Sequence, residues 1–139
     1  MGVNELLDYV EQNLVSDKTE SQHGLLIDRV TRNLGIFGVN GNSSAFKEVG
    51  LRNGKIRKGV ADLVAIVGDH EVLVIEGTVF RDNGHPTDLS RVHLQLVRDR
   101  EYFKSILGFS PRMIAVYGRE GTEEFEYHEL VYPLQIKGR

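Results

Sequence analysis

The chain of 139 residues contains no cysteine. Disulfide bridges, thiolate zinc centres and a cysteine nucleophile are therefore excluded. No apolar run approaches the roughly 18 to 20 residues that cross a bilayer. The first ten residues, MGVNELLDYV, form an acidic amphipathic stretch rather than the basic and then apolar pattern of a secretion signal. A cytoplasmic location and no membrane partner are expected. Internal repeats, low-complexity tracts and linkers are also missing, so residues 1–139 are expected to form one domain; hydrophobic residues make up 40% of it, enough for an ordinary core. The histidines include no pair with the spacing of a zinc motif. Gly35, Gly38 and Gly41 lack the lysine and serine of a phosphate-binding loop, and Ser43-Ser44 lack the surroundings of a nucleophile elbow.

A strong positive charge is lacking as well: the formal net charge is -3. Proteins that coat nucleic acid gain affinity by neutralising many phosphates, and this average speaks against such a role. The distribution is uneven, however. Between Lys47 and Lys58 the sequence carries Lys47, Arg52, Lys55, Arg57 and Lys58 against one acid, Glu48, a local balance of +4 that leaves -7 for the remainder. Such a segment either contacts phosphates or protects an edge strand from aggregation.

The periodicity gives a helix over Asn4 to Leu14, and a second that begins after Thr19 with a Thr19/Gln22 capping box and ends at Leu34, with Gly35 as its cap. His23, Leu26, Ile27, Val30 and Leu34 share the inner face of the second helix, with Glu20 on the same side. Asp28 points away. A β region follows. Asn53-Gly54 signals a hairpin between a strand near Phe46 to Arg52 and one starting at Lys55. The second strand runs to Val67, turns at Gly68-Asp69-His70 and returns over Glu71 to Val79. Its nearly continuous apolar runs imply that both faces are covered. A long helix is expected from Thr87 to Leu107, with Pro86 in its first turn, Gly108 at its end, and Leu89, Val92, Leu96, Phe103, Ile106 and Leu107 buried. A buried strand from Pro111 to Tyr117 and a short one near Tyr132 to Ile136 complete an α/β domain with a mixed sheet flanked by helices. The acidic run Glu120 to Glu129 reads as a solvated segment, and His93 as a partly buried structural histidine.

Two acids interrupt the most apolar part of the chain, Asp62 and Glu76. Burying a lone carboxylate is costly, so such acids have a partner, a proton or a metal. With a three-residue loop at Gly68-Asp69-His70, residues whose numbers sum to 138 face each other, which sets Asp62 directly opposite Glu76 on one face of the sheet, with Thr78 projecting from it too. Paired carboxylates with room for water suit Mg²⁺ or Mn²⁺. The alternative is that Asp62 sits exposed at the rim and Glu76 pairs with an arginine.

Asp62, thirteen intervening residues across a hairpin, then Glu76-Gly77-Thr78 on an apolar strand, preceded by a helix carrying Glu20 and followed by a long helix and a strand, resembles the PD-(D/E)XK nuclease superfamily. That group includes restriction endonucleases and archaeal Holliday junction resolvases. The resemblance implies a restriction endonuclease-like core and a Mg²⁺- or Mn²⁺-dependent endonuclease acting on DNA, with Asp62, Glu76 and Glu20 around the metal and Thr78 in the site. The sequence departs from the pattern at Ala61, in place of the proline, and at Thr78, in place of the usual lysine. A hydroxyl carries no charge and is far too weak an acid to serve as a base, so Lys58 or Arg81 is expected to supply the missing cation. Lys47, Arg52, Lys55, Arg57, Lys58 and Arg81 are the candidate DNA contacts. A chain this short is expected to work as a homodimer or beside a recognition subunit. The rival reading is a catalytically silent member of the same fold that binds nucleic acid or protein.

Overall fold

The computed structural model describes residues 2–15, 22–39, 42–69, 71–80, 86–131 and 135–137. Helix α1, Val3–Gln12, buries Leu6 and Val10, one turn apart on its inner face. Helix α2, Gln22–Arg32, buries Leu26, Ile27 and Val30. It does not end at Gly35, the expected cap. A 3₁₀ turn over Leu34–Phe37 extends it, and Gly38, in the left-handed conformation at φ 79°, is the terminator. The tighter turn brings both Leu34 and Phe37 under cover, which a helix stopping at Leu34 would not do. Thr19, Glu20, His70, Arg81 and His85 lie outside the described residues.

Six strands form one sheet in the order β1-β2-β3-β4-β5-β6, namely Ser43–Asn53, Ile56–Val67, Glu71–Phe80, Arg112–Arg119, Phe125–Val131 and Gln135–Lys137. Every neighbouring pair is antiparallel except β3 and β4. A parallel pair needs a crossover, and helix α3, Pro86–Tyr102, provides it. A π turn over Phe103–Leu107 continues α3, and Gly108 ends it at φ 77°. The wider turn shifts the phase of the apolar stripe, so Phe103 and Leu107 stay buried while Ile106, expected inside, is exposed.

Side chains alternate across the sheet and build two cores. Val64, Ile66, Val72, Val74, Met113 and Ala115 pack beneath α1 and α3. Leu63, Ala65, Leu73, Ile75, Ile114 and Val116 pack beneath α2 and the 3₁₀ turn. Both faces of the central strands are therefore covered, as their apolar runs require. In the acidic run near the C-terminus Glu120, Glu123, Glu124 and Glu126 are exposed, as expected, but the run is not irregular: FEYHELV is strand β5, paired with β4 from Met113↔Leu130 to Gly118↔Phe125. Pairing with β4, rather than a strict period of two, makes this strand, because Glu126 and Glu129 are of opposite parity. Among the described residues no helix is long and apolar enough to cross a membrane.

The β1-β2 hairpin forms as expected but turns one residue later. Asn53 pairs with Ile56, and the loop is Gly54-Lys55, with Gly54 at φ 65° in the glycine-first pattern of a type II′ turn. The base of this hairpin is tied to the helices through two phenols. Tyr9 and Tyr102 share a hydrogen bond, Tyr102 also donates to the Arg52 carbonyl, and the Arg52 N–H donates to both hydroxyls at 3.0 Å. Burial, and then the Tyr9 hydroxyl, raise the Tyr102 pKa, so the phenol stays a donor. Replacing Tyr102 with phenylalanine removes the shared donor and is expected to cost about 1–3 kcal/mol. A urea titration should show this as a lower midpoint at unchanged slope. An unchanged midpoint would show that the phenol network does not hold the hairpin.

Candidate functional site

The β2-β3 ladder runs from Val67↔Glu71 to Leu63↔Ile75 in the expected register, and there it stops. At the next position Asp62 and Glu76 face each other, but side chains replace the backbone ladder. The Asp62 N–H donates to Glu76 Oε1 at 3.4 Å, and the Gly77 N–H donates to Asp62 Oδ2 at 2.8 Å. A Cβ on Gly77 would lie 3.1 Å from the Val116 side chain and 3.2 Å from that of Ile27, so any larger residue would press on the side chains of α2 and β4 that close on the opened strand.

The two carboxyl groups stay within reach of each other, since both the charge of Asp62 and a side-chain hydrogen bond from it act on Glu76. Ala61 belongs to the core beneath α3 and Leu63 to the core beneath α2, as does Ala65, while Val64 joins Ala61. Strict alternation along β2 is thus broken at Asp62-Leu63, and parity no longer predicts where Asp62 points. Its Oδ2 lies 3.0 Å from Nε2 of His23 on α2. Glu76 keeps to the α3 side, where Oε2 accepts from Arg98 Nη2 at 3.3 Å.

Arg98 binds several acceptors. Its Nη2 also donates to Asp99 Oδ1 at 2.8 Å and to the Val60 carbonyl at 3.1 Å. The guanidinium rests on Gly59, where any Cβ would fall 2.4 Å from Nη1. Asp99 is fully buried and Glu76 is 1% exposed. Burial lifts the Glu76 pKa well above the usual carboxylate range, and the hydrogen bond and charge of Asp99, followed by Asp62, raise it further. Asp99 is also raised by burial, against the hydrogen bond to Glu76 and the pull of Arg98. Its Oδ2 is buried without a hydrogen-bond partner. Three carboxylates thus sense one another around a single guanidinium. This is an oxygen-rich, underneutralised set that fits either a retained proton or a hard divalent cation.

Two residues along β3, Thr78 is buried at 4% exposure, and its hydroxyl accepts from Nη2 of Arg91 on α3 at 3.3 Å. Among the described residues Arg91, rather than Lys58, is the cation next to the threonine; Lys58 is solvent-exposed. Arg52, Lys55 and Arg57 are exposed with it, and among the described residues these four enter no ion pair. Lys47 differs, because it pairs with Asp28 of α2. Glu20 and Arg81 have no described position.

On the outer side of β2, Glu48 of β1 lies opposite Asp62, between the pairs Lys47↔Leu63 and Val49↔Ala61. Among the described residues outside glycine it alone has a positive φ, 55°. Its carbonyl accepts from the Val15 N–H at 2.7 Å as the 13–15 segment closes on the edge of β1. One ligand atom each from His23, Glu48 and Asp62 lies within 4.8 Å of the others.

Arg91, Arg98, Asp99 and Glu48 were not among the residues singled out from sequence. Asp99 could have been found, since it falls three residues after Leu96 and four before Phe103, on the buried stripe of α3. Compared with known proteins, the chain matches no family model, no curated protein and no solved structure. The chemistry of the site must therefore be argued from its own residues.

The raised Glu76 pKa carries a stability consequence. Folded Glu76 holds its proton to a higher pH than the unfolded chain does, so stability is fully present below about pH 4.5 and is lost as pH rises through the raised value. Glu76→Gln has no proton to lose. Its melting temperature is expected to fall less steeply than wild type from about pH 5 to about pH 9, and parallel curves would refute the assignment.

Proposed function

We propose that the protein is a metal-dependent DNA endonuclease with a restriction endonuclease-like core. The observation that carries this reading is the opening of the sheet at Asp62 and Glu76, where two strands exchange their backbone ladder for carboxylates and a third acid, Asp99, joins them. The order of helix, three-stranded antiparallel meander, crossover helix and parallel strand supports the same reading.

In this proposal Asp62 and Glu76 hold Mg²⁺ or Mn²⁺, and Glu20, whose position is not described, completes the set. The bound ion supplies Lewis acidity toward a phosphodiester oxygen and makes water a better nucleophile. Arg98 keeps the Glu76 carboxyl oriented. Arg91 takes over from the absent lysine, placing a fixed positive charge beside the Thr78 hydroxyl where negative charge develops. The exposed end of the β1-β2 hairpin, Arg52 to Lys58, leads directly into the strand that carries Asp62 and offers cations to the phosphate backbone. DNA is the partner, with a second copy of the chain or a recognition subunit supplying the remaining contact surface.

Divalent-dependent nicking of plasmid and four-way junction DNA tests this. Asp62→Ala and Glu76→Ala are expected to abolish cleavage, and Arg91→Ala to slow it about a hundredfold while leaving DNA affinity nearly unchanged. A wild type that cuts nothing, or Asp62 and Glu76 variants that cut as well as wild type, would remove the enzyme reading.

A second reading, a silent nuclease fold that binds nucleic acid, is favoured by one observation: Arg98 already compensates Glu76, so the acids can be structural. Salt titration of DNA binding separates the two. Replacing both Arg57 and Lys58 with glutamine is expected to weaken binding and to reduce the slope of log affinity against log salt by about 2. Metal-independent binding together with no cleavage selects the silent fold.

A further inference from the structure

The donor set around Asp62 extends beyond the acids already discussed. We propose that His23, Glu48 and Asp62 form a mixed imidazole-carboxylate site for a divalent cation, and that this site prefers Mn²⁺ over Mg²⁺. The inference deepens the metal-dependent reading above and rests on it, because Asp62 belongs to both.

The three ligands come from three elements: His23 from α2, Glu48 from β1 and Asp62 from β2. Their donor atoms lie within 4.8 Å of one another, and His23 Nε2 is 3.0 Å from Asp62 Oδ2. Ligands about 2.1 Å from an octahedral ion stand about 3.0 Å apart when adjacent and about 4.2 Å apart when opposite, so only small side-chain adjustments are needed to enclose one. All three residues are partly exposed, which leaves an entry path and room for water.

A separate feature also calls for positive charge. Behind Asp62, fully buried Asp99 carries an oxygen with no hydrogen-bond donor, and Asp62, Glu76 and Asp99 are mutually repulsive. Only Arg98 offsets them among the described residues that contact Glu76 and Asp99. A cation on the outer side of Asp62 relieves that repulsion without displacing Arg98.

The imidazole determines the choice of metal. Mg²⁺ dehydrates reluctantly and favours oxygen, whereas Mn²⁺ accepts carboxylates, water and an imidazole together and binds N/O sites more strongly.

Mn²⁺ bound to the full chain without DNA tests the assignment by electron spin echo spectroscopy and calorimetry. Nitrogen-14 coupling to bound Mn²⁺ is expected in the wild type and not in His23→Gln. Mn²⁺ should bind at least tenfold more tightly than Mg²⁺, and His23→Gln should collapse that ratio to below threefold. Glu48→Gln should weaken both ions at least tenfold. Bound Mn²⁺ without nitrogen coupling in the wild type overturns the proposal, and needs no variant to do so. An unchanged Mn²⁺/Mg²⁺ ratio in His23→Gln overturns it as well. Cleavage of DNA by a protein whose Mn²⁺ shows no nitrogen coupling leaves the endonuclease reading standing and sinks this one. Nitrogen coupling in a protein that cuts no DNA does the reverse. No binding of either ion sinks both.

Discussion

A carboxyl group with almost no access to water has to be held by something, and in this protein the holding of Glu76 organises much of the surroundings. Arg98 reaches it from α3, the Asp62 N–H reaches it from β2, and Asp99 crowds it. Each contact has a further requirement. A side chain at position 59 would push the Arg98 guanidinium aside, and one at position 77 would crowd α2 and β4.

The same opening explains why the two faces of the sheet differ chemically. Where β2 and β3 run as a regular ladder, both faces are hydrocarbon. Where the ladder stops, Asp62 becomes available to α2 and Glu76 to α3, and polar side chains from both helices converge on the break. Glu48 extends this disturbance to β1 through a left-handed backbone conformation, a strained state that for a residue with a Cβ costs about 1–2 kcal/mol. Next to this polar seam stands the exposed basic tip of the hairpin. The net charge of -3 therefore averages a cationic hairpin end against acids spread over the rest of the chain.

Much of the arrangement was legible in the residue order. The loop Gly68-Asp69-His70 fixed the pairing of β2 with β3, and the observed pairs keep that register throughout the ladder. Pro86 and Gly108 marked the crossover helix, and apolar runs marked strands covered on both faces. Strand β5 was hidden because it lies within the acidic run Glu120 to Glu129 and FEYHELV does not alternate strictly, Glu126 and Glu129 being of opposite parity. Arg91 could not be paired with Thr78 in advance. The two stand thirteen residues apart on different elements, and only the rotation of α3 against the sheet brings them into contact.

What the sequence determined by itself was local: element order, hairpin register, and the cost of placing Asp62 and Glu76 among hydrocarbon side chains. These follow from steric periodicity and transfer free energy, which act between neighbours along the chain. Tertiary structure alone decided which acid faces which helix. Parity set Asp62 opposite Glu76, and the fold then gave Asp62 a further contact in His23 of α2 and gave Glu76 Arg98 and Asp99 of α3. Those contacts depend on packing from both sides of the sheet at once. Residues far apart in the chain therefore set the composition of the site, while residues close together set its position.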